Sequence, residues 1–115
     1  MFRIPQPNPA TISATGTITI AQMTARIVIV TSATAVNLTL DTGALCDAGI
    51  ASGNLANNGA FDWCIQNAGS AVGLITMIAS AGHTLLGLTT IPIITSGSFR
   101  TRKTGANTFV TYRLP

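Results

Sequence analysis

Residues 61–67 alternate strictly. Phe61, Trp63 and Ile65 fall on one side of an extended chain, and Asp62, Cys64 and Gln66 fall on the other. A period of two fits a pleated strand and not an amphipathic helix. The stretch also carries the only tryptophan of the chain. Asn67-Ala68-Gly69-Ser70 has turn composition, and Ala71 to Ala79 returns as an almost wholly apolar segment. The expectation is a central β-hairpin on which the other strands pack. Its second strand would carry Leu74, Thr76 and Ile78 on one side and Ile75 and Met77 on the other. A strand with no polar face needs cover on both sides, and in a small domain a subunit interface supplies the second cover.

The remaining segments read mostly as strands. From Thr11 to Ile20, Ile12, Ala14, Gly16, Ile18 and Ile20 alternate with Thr and Ser, which predicts one half-buried strand with a threonine ladder outside. Ala21 to Ala25 reads as a connector. Arg26 to Thr31 reads as a strand covered on both faces, and Val36 to Leu40 as a strand with Val36, Leu38 and Leu40 inward. Asp41 is placed to cap a short helix over 44–51, with Leu45, Ala48 and Cys46 against the sheet. Residues 83–87 and 89–94 read as short strands, the second at an edge because Pro92 cannot donate to a ladder. Thr104 to Asn107 reads as the turn of a last hairpin. A tight turn there pairs Lys103 with Thr108 and sends Phe99 and Tyr112 inward. It gathers Arg100, Arg102 and Arg113 outside, where like charges repel unless an acidic partner relieves them.

Pro5, Pro7 and Pro9 make residues 1–10 an extended arm. Phe2 and Ile4 on that arm have no core of their own, so the arm is either a clasp on a neighbour or a frayed end. The fold class expected is all-β, mainly an antiparallel sandwich or barrel-like domain, with one short helix and this arm. The domain division is 1–10 arm and 11–115 single β domain.

Only 8% of residues are charged, so most of the surface must be Thr, Ser, Asn, Gly and Ala. Such a surface favours self-association, because mixed charge is what keeps a monomer soluble. No apolar run is long enough to span a bilayer. The N-terminus has no secretory leader pattern, which predicts synthesis into the cytoplasm. In that reducing compartment Cys46 and Cys64 are expected as free thiols. The net charge of +3 clusters near the C-terminus, but without the exposed aromatic series and basic stripe of a nucleic-acid binder. His83, the only histidine, has no Cys or acid near it in sequence and is expected on the surface or on an edge strand. No metal, phosphate or nucleophile motif is present. The sequence therefore predicts no enzyme activity, no catalytic residue and no cofactor, metal or small-molecule site.

The run Phe61 to Asn67, then Ala79-Ser80-Ala81-Gly82-His83-Thr84-Leu85-Leu86-Gly87, Ser98-Phe99-Arg100 and Val110-Thr111-Tyr112-Arg113-Leu114, resembles a module of tailed-bacteriophage structural proteins. The resemblance covers roughly residues 40–114. It implies a virion protein like the small capsid decoration, or cement, proteins, often a homotrimer. Such a protein sits on the capsid surface, bridges major capsid protein subunits, and engages neither nucleic acid nor membrane. The alternative it implies is a tail, fibre or baseplate component, a class that includes receptor- and glycan-binding proteins. The candidate subunit or capsid interface is Phe2, Ile4, Ile75, Met77, Arg100, Arg102 and Arg113.

Overall fold

A computed structural model describes residues 6, 8–50, 57–69 and 73–115. Among the described residues, ten strands and two helices run in the order β1 (Ala10–Ile12), β2 (Gly16–Ile18), α1 (Ile20–Thr24), β3 (Ile27–Val30), β4 (Val36–Leu40), α2 (Gly43–Gly49), β5 (Ala60–Asn67), β6 (Ile75–Ile78), β7 (His83–Leu86), β8 (Thr90–Ile91), β9 (Ser96–Gly105) and β10 (Thr108–Leu114). They form a six-stranded sheet, β1-β3-β5-β9-β10-β7, and a four-stranded sheet, β2-β4-β6-β8. The protein is strand-rich, as expected, but its sheets are mixed. β1, β3 and β5 are mutually parallel, as are β2, β4 and β6. Between these strands, the antiparallel pairs are β5–β9, β9–β10 and β6–β8.

The first six strands alternate between the two sheets. The chain therefore winds in three coils, each laid beside the last in the manner of a solenoid. This winding overturns the central hairpin: β5 and β6 are consecutive but lie in different sheets. It also breaks the strand expected over 11–20 into β1 and β2. Alternation persists through that stretch, but Ala14 and Gly16 are too small to fill a core, and the chain turns a corner there. Both are exposed, while Ile18 and Ile20 are buried.

The expected connector at 21–25 is instead helix α1. Thr19 accepts the Gln22 N–H, and the Gln22 side chain accepts the Thr19 N–H, a complete capping box. The second helix starts at Gly43, with Thr42 as its cap, and not Asp41. Asp41 is buried and its Oδ2 accepts the Ile20 N–H at 2.9 Å, so it serves the first turn of α1 across the coil. Of the three residues expected against the sheet from α2, only Cys46 is buried; Leu45 and Ala48 face out. Gly43 is required where it stands, because a Cβ there would collide with the backbone carbonyls of Asn107 and Gly82.

One core fills the space between the sheets. Val28, Val30, Trp63, Ile65, Phe99 and Phe109 of the large sheet meet Ile18, Val36, Leu38, Leu40, Ile75, Met77 and Ile91 of the small one. Met23 and Cys46 plug the helical side. Trp63 stacks on Phe99 with ring centroids 4.8 Å apart, across the β5–β9 pair that centres the sheet. Pairs of this kind contribute about 1 kcal/mol beyond their area. Val36, Leu38 and Leu40 point inward as expected, and β8, which ends beside Pro92, is an edge strand. The last hairpin forms, but with Phe109 opposite Lys103 and a bulge at Thr108. That one-residue slip turns Thr111 and Arg113 inward and Tyr112 outward, as any slip of a period-two chain must.

Candidate interaction face

The outer face of the six-stranded sheet follows from the same alternation. β5 sends Asp62 and Cys64 outward, β9 sends Ser98, Arg100 and Arg102, and β10 sends Val110, Tyr112 and Leu114. Asp62 lies directly opposite Arg100, and Arg100 opposite Tyr112. Arg100 donates from Nε to Asp62 Oδ1 at 2.6 Å and from Nη2 to Oδ2 at 2.9 Å. This fork holds the Asp62 carboxyl below its usual range. Both side chains are about half exposed, so the pair fixes geometry more than it stabilises the fold. Arg102 donates to Asn58 Oδ1 and to the Tyr112 hydroxyl and lies over the Tyr112 ring. Each arginine has its own partner, which relieves the repulsion expected between them.

Arg26 completes the charged part of this face, and sequence reasoning missed it. It lies just beyond α1 with φ +74, where Gly is the usual residue. Its N–H bonds the Met23 carbonyl and its own carbonyl accepts the Cys64 N–H, so helix end and sheet together hold the conformation. A left-handed residue with a Cβ costs about 1–2 kcal/mol. Its guanidinium makes no hydrogen bond or ion pair among the described residues, although its charge lowers the Asp62 pKa further. Arg26 borders two adjoining hollows. One, of about 550 Å³, is lined with Ala60, Phe61, Asp62 and Arg100; the other, of about 280 Å³, with Asp62, Trp63, Cys64, Ser98, Phe99 and Leu114. The Thr19–Gln22 box is the signal that locates α1, and hence its terminal Arg26.

The other expected interface residues stand elsewhere. Ile75 and Met77 are 0% and 2% exposed inside the core, so they are corrected from interface to core residues. Arg113 is not on the outer face. It packs over the Phe99 ring and donates to the Leu88 and Thr90 carbonyls, tying the large sheet to the small one. Phe2 and Ile4 lie outside the described residues. Lys103 turns inward and pairs with Asp47 of α2 at 2.7 Å, which with the Asn107 N–H lowers the Asp47 pKa.

A second polar constellation is internal. His83 is on an edge strand, but buried at 1% exposure and not on the surface. Its Nδ1 lies 2.7 Å from the Asp41 carbonyl, which can only accept, so Nδ1 carries the proton. Nε2 is then an acceptor and takes the Thr111 hydroxyl at 2.6 Å. Thr111 in turn accepts from Thr101 at 2.8 Å, and Thr101 from the Trp63 indole N–H at 2.9 Å. Every donor points the same way along this line, and the imidazole is neutral. The Cys46 sulfur is 3.6 Å from Nδ1. The pair is no thiolate–imidazolium: burial and the Asp41 and Asp47 charges push the thiol up to about 12, and burial pushes the His83 pKa down. His83 reaches Asp41 through its carbonyl; the carboxylate is engaged with Ile20.

Fold and face together define a strand-rich domain with two mixed sheets, carrying a basic outer face and a closed polar interior. Among the described residues, no group of three His, Cys, Asp or Glu gathers as a metal site. Likewise, no helix is long and apolar enough to cross a membrane. Comparison with known protein families, with curated proteins and with solved structures gave no match to this chain.

Proposed function

We propose that the protein is a non-enzymatic structural protein of a tailed-phage virion that decorates the capsid and stabilises it by bridging major capsid protein subunits. The outer face of the six-stranded sheet is the docking surface in this reading. Its support is the concentration of Arg26, Arg100 and Arg102, opposed only by Asp62, beside half-buried aliphatic side chains such as Ile27, Val110 and Leu114. In a chain with 8% charged residues, three cations on one face give that face a direction and a partner sign. Binding to the assembled shell and not to free subunits would stabilise the shell by mass action, and many sites per particle make modest affinities cumulative. The protein would act as a homotrimer on the capsid surface, in the sandwich-like form that the resemblance implies.

The test is addition of the purified protein to undecorated heads. Saturable binding and a higher temperature of head disruption are expected, with a trimer mass by light scattering that survives dilution. A monomer that leaves heads unchanged would sink the reading. The tail or fibre alternative gains support from one observation, the coiled winding of β1 to β6, since coils of this kind extend by stacking further rungs. Binding to tails and not to heads would select it.

A further inference from the structure

We propose that Arg26 and Arg100 form a carboxylate-recognition point, and that this face takes an acidic, extended segment of a partner protein. The inference rests on the docking face named above and adds the chemistry of its occupant. Arg100 spends Nε and Nη2 on Asp62, which leaves its Nη1 edge free to donate. Arg26 stands on the other side of Asp62, unpaired among the described residues, at the border of both hollows. A second carboxylate entering the larger hollow would meet Arg26 and the free edge of Arg100 together. The Asp62 fork already shows the geometry in which this face holds a carboxylate. Half-buried Cys64 and Leu114 in the smaller hollow supply apolar contact alongside, which suits an acidic residue next to an aliphatic one.

The backbone at Arg26 makes the point independently of charge. A glycine would fit its left-handed conformation without strain, and the arginine side chain makes no hydrogen bond or ion pair among the described residues. The backbone bonds to Met23 and Cys64 hold the conformation, and an exposed arginine kept there in place of glycine fits a binding role. A nucleic acid is disfavoured. Asp62 sits between the cations and would repel a phosphate chain. The aromatic rings behind them are closed to stacking, with Trp63 3% exposed and Tyr112 under the Arg102 guanidinium.

The experiment titrates the full chain calorimetrically with the blocked peptide Glu-Val-Glu-Val-Glu, its Gln-for-Glu counterpart, and a single-stranded oligonucleotide of matching charge. The Glu peptide is expected to bind, to weaken with added salt, and to exceed the Gln peptide by roughly tenfold or more. Arg26→Gly is expected to lose that preference while melting at the same or a higher temperature. Equal binding of the two peptides, no binding, tighter binding of the oligonucleotide, or an Arg26→Gly protein that binds as before or melts lower would each overturn the proposal. Undecorated heads form the second arm. Peptide binding without head binding keeps the site and removes the capsid role. Head binding unaffected by Arg26→Gly keeps the capsid role and removes the site.

Discussion

Ile94 holds φ at +59 with a β-branched side chain that is 85% exposed. Its N–H bonds the Asn67 carbonyl, so the backbone and not the side chain dictates the conformation. Asn tolerates that region far better. Ile94→Asn is expected to stabilise the fold by about 1 kcal/mol, read as a higher urea midpoint; an unchanged or lower midpoint would show that the side chain has a partner within the fold. His83 gives a prediction of the opposite kind. Its folded-state pKa lies below the ordinary 6.5, so the unfolded chain takes up a proton first. Stability is therefore complete above about pH 6.5 and falls as the pH drops below that value. Asp47 and Asp62 have pKa values lowered from 3.8 and titrate well beneath this window. Urea midpoints between about pH 7.5 and 5.5 should decline in the native protein and stay flat in His83→Gln. A parallel decline in both would remove His83 as the cause. At this scale the sequence showed that His83 lacks neighbours along the chain, but burial is set by β10 and α2, which are distant in sequence.

Asn67 ends β5 and is 3% exposed. Its Nδ2 donates to the Gly73 and Ile91 carbonyls, both at 2.8 Å, and its Oδ1 accepts the Gly69 N–H at 3.0 Å. One side chain thus satisfies the backbone where the chain leaves the large sheet for the small one. Asn67→Ala leaves those groups buried and unpaired, and a loss of about 3 kcal/mol is expected by chemical denaturation; a loss below about 1 kcal/mol would mean that water or a local shift replaces the amide. The elements themselves were partly legible. Val36 to Leu40, the Phe61 to Gln66 alternation and the strands of the last hairpin stand as read. Their partners were not. A period of two fixes which residues share a face, yet it says nothing about which sheet receives the next strand. Hence Ile75 and Met77 looked two-sided and in need of an outside partner. β6 is in fact covered by the core on one face, while its outer Ile78 and the adjoining Leu74 are the partly exposed residues. The hairpin slip at Thr108 was invisible for a related reason: a bulge changes register without changing composition.

At the scale of the molecule, protection should follow sheet position. β5 and β9 are paired on both sides, while β1, β2, β7 and β8 are the four edges. Hydrogen exchange is expected to be slowest in β5 and β9 and fastest at the three-residue strands β1 and β2. Comparable protection of β1 and β2 would indicate that another chain covers the first coil. The two ties between layers, Lys103 to Asp47 and Arg113 to the β8 region, use two of the six cations of the chain. Of the other four, Arg3 lies outside the described residues, and Arg26, Arg100 and Arg102 gather on one face. Charge clustering at the C-terminus was readable from sequence; the separation of Arg113 and Lys103 from the outer arginines, and the arrival of Arg26 beside them, depend on register and winding.

The line from Trp63 through Thr101 and Thr111 to His83 carries one further consequence. A proton added at Nε2 makes the imidazole a donor there, so Thr111 must reverse and donate to Thr101. Thr101 then receives from both sides, and its own hydrogen has no acceptor on the line. The mismatch arrives beside the only indole in the protein. Protonation of this sealed histidine is therefore expected to change tryptophan emission, which would make the indole an optical indicator of the acid loss of stability; emission that stays constant through that pH range would show that the line does not relay the change.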